Sequence, residues 1–273
     1  MDYESVLGTL TTWASGHEDV RALVLTGSAA AGATHPLSDR DIEVFTTDVP
    51  ALLDDDSWWA NLGEVLVVER LENEDDDPTL LIYYAGGKLD FTLLSAERLR
   101  GREYSRPFEV LLDKDAAGAT VSLAESITEP PSAEEFDESV NWAWAAALMQ
   151  AKAIVRDEPW SAKLRDQDLK AELLRMVEWD HRARYGQNID TRYLGTGMRQ
   201  WMDADIQRAL ERCWAGLDAR ETTAALLATT ALYRTLAERT ASAIGLPAFD
   251  HERVEAELGT ILGLAPRHED GAV

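Results

Sequence analysis

The chain has 273 residues, 45% hydrophobic and 28% charged, which suits one large globular domain or two smaller ones with a real core. Fifty acidic residues against 26 basic ones give a net charge of -24. That balance argues against gripping a nucleic-acid backbone and agrees with a cationic small substrate, although a generally acidic surface produces the same number. One cysteine, Cys213, excludes an internal disulfide and a cysteine-based zinc cluster. No apolar run reaches the length of a membrane span, and the acidic start Met1-Asp2-Tyr3-Glu4 is unlike a basic leader, so cytoplasmic location is expected.

In chain order, Glu4 to Ser15 carries Val6, Leu7, Leu10, Trp13 and Ala14 at helical spacing. Ala22 to Thr26 is an apolar run ending at Gly27, a buried strand feeding a tight turn. Ala29 to Pro36 is small and loop-like. Asp41 to Thr46, Leu66 to Leu71, Thr79 to Tyr84 and Lys88 to Leu94 are expected as strands, the last two joined by a turn at Gly86-Gly87. Asp54 to Asp56 and Glu72 to Asp77 are expected as acidic loops, and Ser95 as the cap of a short helix. Thr128-Glu-Pro-Pro-Ser132 reads as a linker, with Ser132 and Glu135 spaced as a capping box. Beyond it, helices are expected over Glu134 to Val155, Asp166 to Tyr185, Arg199 to Cys213, Arg220 to Ile244 and His251 to Leu262. This divides the chain into an α/β part over 1–130, an α-helical bundle over 131–265 and a tail over 266–273.

The chemistry is concentrated in the first part. Residues two apart on a strand share a face, so Asp39 and Asp41 present two carboxylates together. Asp90, an isolated acid in Leu-Asp-Phe-Thr-Leu-Leu, is placed to complete the cluster from a neighbouring strand. Such a set suits Mg²⁺, a hard cation that takes carboxylate oxygens. Nucleotidyl transfer needs such a metal at the triphosphate, activation of the attacking hydroxyl and a backbone cradle for the phosphates. Gly27-Ser28 fits the cradle, and Asp90 the acceptance of the hydroxyl proton. Glu43 shares the face of Asp41 and is an alternative to Asp39 as metal ligand. No Gly-x-x-x-x-Gly-Lys is present, which excludes a P-loop enzyme.

These residues resemble the nucleotidyltransferase superfamily, whose signature is Gly-Ser, a spacer and Asp-x-Asp. The resemblance extends to the aminoglycoside (streptomycin) 6-adenylyltransferases. It rests on Asp39-Arg40-Asp41-Ile42 through Thr47-Asp48, Asp56-Ser57-Trp58, Leu89-Asp90-Phe91-Thr92-Leu93-Leu94 and Leu111-Leu112-Asp113-Lys114-Asp115. In the helical half it includes Asn141, Trp144, Lys152, Arg156, Glu172 to Met176 and Trp179. It implies an α+β fold: an N-terminal mixed β-sheet nucleotidyltransferase domain followed by a C-terminal helical bundle. It also implies transfer of AMP from ATP, with Mg²⁺, to a streptomycin hydroxyl, with Asp39, Asp41 and Asp90 as catalytic and metal-binding carboxylates. The chain departs from the family pattern at Ala29, where an arginine usually follows Gly-Ser, and at Arg40, where an aromatic separates the two acids.

Lys152 and Arg156, four apart on one helix face, are candidates for the triphosphate, or else a surface pair beside Asp157 and Glu158. A polycationic, hydroxyl-rich acceptor needs carboxylates and a flat ring, which points to Glu172, Glu178 and Trp179, although a tryptophan more commonly packs in a core. The expected partners are therefore ATP and a cationic aminoglycoside, with no nucleic acid and no membrane. A lincosamide or a protein as acceptor, or a non-catalytic binding protein, are the competing readings; the intact carboxylates argue against the last.

Overall fold

The computed structural model describes residues 1–32, 35–73, 75–124, 129–191 and 193–264, so the tail expected over 266–273 and Thr128 of the linker lie outside the described residues. The chain divides into two compact units, Met1–Ser126 and Ile127–Val273. No described helix is long and apolar enough to cross a membrane.

The first unit opens with α1 (Tyr3–Gly16), whose N-terminus is capped by the Asp2 carboxylate accepting from the Ser5 N–H. The strands follow as β1 (Val20–Thr26), β2 (Arg40–Thr46), β3 (Val65–Glu72), β4 (Pro78–Tyr84) and β5 (Gly87–Ser95), then β6 (Glu103–Tyr104), β7 (Phe108–Asp113) and β8 (Ser122–Leu123). Six of them form one mixed sheet in the order β3-β4-β5-β2-β1-β7, and β6 pairs with β8 separately. Within the large sheet only β2 and β5 run parallel. The connection between them carries two short helices, α2 (Val49–Asp54) and α3 (Ser57–Ala60), and the β3-β4 hairpin.

One sheet face buries Ile42, Val44, Leu89, Phe91 and Leu93 against Leu10 and Ala14 of α1 and Trp58 and Trp59 of α3. Side chains of this size each contribute about 1.5–3 kcal/mol on full burial. The other face holds Ala22, Val24, Phe45 and Leu94 under Leu99 and Tyr104. The alternation is what lifts Asp41 and Asp90 out of the main core, since each lies between two residues buried in it or next to one.

Several elements differ from the sequence-based expectation. Phe108–Asp113 is a strand at the sheet edge, unforeseen because its half-exposed positions show no clean alternation. The Asp54 to Asp56 segment is a break between α2 and α3 rather than a free loop. After Ser95 the chain makes a 3₁₀ turn over Ala96–Leu99, and the serine side chain does not cap it.

The second unit is helical, with α4 (Ala133–Val155), α5 (Pro159–Tyr185), α6 (Met198–Trp201), α7 (Ala204–Glu211), α8 (Ala219–Ile244) and α9 (His251–Leu262). Ser132 and Glu135 form the expected capping box. Pro159 starts α5 a full turn and more before Asp166, because proline is well suited to a first helical turn. The single helix expected over Arg199 to Cys213 is instead two, interrupted at Met202 and Asp203. Tertiary contacts win there: the Asp203 N–H donates to His181 Nε2 at 3.0 Å and its carboxylate pairs with Arg184 at 2.7 Å.

Candidate active site

The parallel pairing of β2 with β5 places Asp41 directly opposite Asp90. Asp39 stands one residue before β2, on the same alternation as Asp41, and the same register sets it across from Lys88. The three expected carboxylates and one lysine therefore share a sheet face. On the far side of Asp41, β1 pairs Thr26 with it, and the chain turns at Gly27.

Gly27 is buried and has φ +77, a region L side chains rarely adopt. A Cβ there would meet Asp41 Oδ2 at 3.0 Å, so the turn lies directly against that carboxylate. Its N–H donates to the Pro107 carbonyl, and the Ala31 and Gly32 N–H groups close the turn on Gly27 and Ala29. The amides of Ser28, Ala29 and Ala30 find no acceptor among the described residues. Successive open amides after a strand suit phosphate oxygens. Ser28 itself is exposed.

Lys88 Nζ donates to Asp90 Oδ2 at 2.8 Å and to Asp39 Oδ2 at 3.2 Å. Asp90 Oδ1 is buried with no hydrogen-bond partner. Burial pushes the Asp90 carboxyl from an ordinary 3.8 up to about 6, more than the Lys88 ammonium pulls it down. Burial also raises Asp41, with Asp39 adding to the rise and Arg106 and Lys88 opposing it. For Lys88 burial alone would lower the ammonium, but its bonds to Asp90 and Asp39 win and hold it at about 12. Acidic groups with displaced titration in a polar cluster are a mark of functional sites.

Among the described residues no three His, Cys, Asp or Glu side chains form a ready metal-binding group. The donor chemistry nonetheless fits a hard divalent cation: Asp41 and Asp90 are register partners, Asp39 adjoins them, and an unpartnered buried oxygen of Asp90 remains to be satisfied. Glu43, the alternative ligand, is otherwise engaged. One oxygen takes Arg102 at 2.8 Å and the other the Tyr104 hydroxyl at 2.5 Å.

Sequence reasoning missed three residues around this cluster. Lys88 was available from spacing, being two before Asp90 on the same strand. Arg106, whose guanidinium flanks the Gly27 turn, left no such signal because it lies in the loop before β7. The third, Tyr3, meets Arg40, which the sequence marked only as a departure from the family pattern. Arg40 lies over the Tyr3 ring at 3.9 Å and donates to the carbonyls of Ser38 and Asp39. The Tyr3 hydroxyl accepts from the Lys88 N–H at 3.0 Å. The arginine that replaces an aromatic thus braces the backbone of Asp39.

In the helical unit Lys152 and Arg156 are exposed, and neither forms an ion pair among the described residues, Asp157 and Glu158 included. Glu172 accepts from Ser139 Oγ at 2.6 Å, pairs with Arg175 at 3.3 Å and borders a surface groove with Glu138, Trp142 and Asp168. Glu178 is half-buried, and burial raises its carboxyl despite Arg182 and Thr191. Six residues apart, Glu172 and Glu178 point about 120° apart around α5. Trp179 packs on the helical core and stacks on Phe136. The exposed ring beside Glu172 is Trp142.

The Asp90 shift has a thermodynamic consequence. A raised acid pKa means that the folded chain binds more protons than the unfolded one between about pH 4 and 6. Asp90 therefore costs stability progressively as pH rises through that window and adds no further dependence above it. Asp90→Asn removes the term, so its melting temperature relative to the parent protein should rise from pH 4 to 6 and then level off. Thermal melts of both proteins across pH 4–8 in the absence of metal check this; a flat difference contradicts it.

The family model described as streptomycin adenylyltransferase matches residues 2–256. The chain is 24% identical over 192 residues to an aminoglycoside 6-adenylyltransferase of Bacillus subtilis, covering 64% of this chain and 68% of the relative. It is 27% identical over 192 residues to one of Campylobacter jejuni, covering 64% and 66%. Each match thus spans about two thirds of the relative's length. A crystal structure of an aminoglycoside 6-adenyltransferase from Bacillus subtilis is similar with a TM-score of 0.48 at 20% identity, covering 93% of this chain and 97% of that one. The family match runs through the Gly27 turn, through Asp39, Asp41 and Asp90, and on through α8, and by it the chain belongs to the streptomycin adenylyltransferase family.

Proposed function

We propose that this protein transfers AMP from ATP to a hydroxyl of streptomycin or a similar aminoglycoside, with Mg²⁺ held by Asp39, Asp41 and Asp90. The observation that carries the reading is the pairing of Asp41 with Asp90 on parallel strands beside the glycine turn. Family membership and the names of the curated relatives support the acceptor class. Bound Mg²⁺ would supply neutralisation of the triphosphate charge.

The protein's own part is positioning and proton transfer. The Gly27-Ser28 turn offers its amides to phosphate oxygens, and Arg106 adds positive charge beside it. The acceptor oxygen attacks the α-phosphorus, the bond to the β-phosphate oxygen breaks, and pyrophosphate leaves. The hydroxyl proton would pass to Asp90, the carboxylate that the parallel strand pair sets opposite Asp41. Lys152 and Arg156 are assigned to the phosphates on their exposure and unpaired charge. Glu172 and Glu178 are assigned to the cations of the acceptor, with Trp142, exposed beside Glu172, as the flat ring.

Calorimetry with ATP, with and without Mg²⁺, tests the nucleotide half of the reading: affinity should depend on the metal and fall in Lys152→Ala. Metal-indifferent binding would remove the carboxylate cluster from the nucleotide site, and an unchanged Lys152→Ala would return Lys152 to an ordinary surface role.

A further inference from the structure

We propose that Lys88 is the built-in cation of the carboxylate cluster, occupying the place of a divalent metal between Asp39 and Asp90 and making metal loading depend on the nucleotide. The inference rests on the metal assignment above and concerns this chain's own residues.

Three observations support it. First, the ammonium is bound by one oxygen from each of two expected metal ligands, at 2.8 and 3.2 Å. A divalent metal held by Asp39 and Asp90 would need the carboxylate oxygens that the ammonium now engages, so the two cations would compete for them. Second, the arrangement is built rather than incidental. The Lys88 side chain is only 17% exposed. Its ammonium lies 5.2 Å from the Tyr83 ring centroid, and its backbone is held on both sides by the Tyr3 hydroxyl. An exposed lysine on a flexible stem would not be fixed in this way. Third, without Lys88 the Asp39, Asp41 and Asp90 carboxylates would face one another in a partly buried site, with Arg106 left as the cation acting on Asp41.

Displacing Lys88 with a bare metal ion leaves an ammonium without its partners. Displacing it with a metal carried by a triphosphate does not, because the phosphate oxygens are new acceptors for the same charge. The resident lysine thus weakens binding of metal alone and leaves metal-nucleotide binding favourable. The coupling is reciprocal, as any linkage between two ligands must be.

The test is Mn²⁺ binding to the full chain at pH 8, read by the loss of the free-ion paramagnetic resonance signal, with and without a non-hydrolysable ATP analogue. Lys88→Met should bind Mn²⁺ at least tenfold tighter than the parent protein in the absence of nucleotide, and the enhancement produced by the analogue should shrink by a similar factor. Lys88→Arg, which keeps the charge, should stay weak. Arg106→Gln removes a neighbouring charge without emptying the position and should give a much smaller gain. Circular dichroism and melting confirm folding, and Lys88→Ala replaces the methionine variant if that one does not fold. Equal gains in Lys88→Met and Arg106→Gln, or no gain in Lys88→Met, overturn the proposal while leaving the metal site standing. Absence of Mn²⁺ binding in every variant, with nucleotide present, overturns the metal assignment as well.

Discussion

Asp41→Asn should lower the rate of AMP transfer by at least about a thousandfold while leaving the fold intact, and Asp90→Asn and Asp39→Asn should act alike. An amide keeps the shape of the carboxylate and removes the charge. Asp41 sits between the Gly27 turn and Asp90, where negative charge is costly: burial raises its carboxyl, so the folded chain gains nothing in stability from its ionisation. The neutral variant should therefore melt no lower than the parent protein. Loss of turnover with an unchanged or higher melting temperature separates a catalytic charge from a structural one. Steady-state rates beside thermal melts give both readings. Near-normal turnover in any of the three variants removes that residue from the site. Full dependence on Glu43 with a dispensable Asp39 would mean that the Arg102 and Tyr104 contacts of Glu43 give way when metal is present.

Gly27→Val should be nearly as damaging to activity and, unlike the aspartate variants, should also lower stability. The residue has φ +77, which strains a β-branched side chain by about 1–3 kcal/mol. Its Cβ would stand 3.0 Å from Asp41 Oδ2 and 3.8 Å from the Arg106 guanidinium. The carboxylate or the turn must then shift, and a displacement near 1 Å at a reacting centre costs about a hundredfold in rate. Gly32→Ala is the control: it also has a positive φ, but a Cβ there meets nothing within 4 Å. Equal losses of activity in both would mean that turn geometry alone matters and contact with Asp41 does not.

The sequence carried the sheet well where alternation was strong. β2, β4 and β5 begin and end within two residues of expectation, because Ile42, Leu89 and Phe91 alternate with polar positions and β4 is an apolar run that stops at the Gly86-Gly87 turn. The spacing that placed Asp39 and Asp41 on one face also gave Asp90 its alternation. Their juxtaposition needed the parallel pairing of β2 with β5, which no local pattern encodes. Lys88 was legible from spacing and was read only as a strand residue. Arg106 and Tyr3 were not legible, since both reach the site through long-range packing from a loop and from α1. The same limit explains the break at Met202-Asp203, where bonds to His181 and Arg184 override a helical pattern. Trp179 shows the converse: the sequence offered it as a ring for the acceptor with core packing as the alternative, and the structure packs it on the helical core against Phe136.

The most direct measurement is pyrophosphate release from ATP and Mg²⁺ by the full chain, run against a panel of aminoglycosides and lincosamides with mass spectrometry of the acceptor. Release should require streptomycin or a closely similar guanidinium aminoglycoside, should leave one AMP on the antibiotic, should weaken as salt screens the acidic contacts, and should vanish in Asp41→Asn. Adenylation of some other small alcohol, with streptomycin untouched, would keep the transfer chemistry and contradict the acceptor; no release with any acceptor, from a folded chain that binds ATP, would contradict the enzyme.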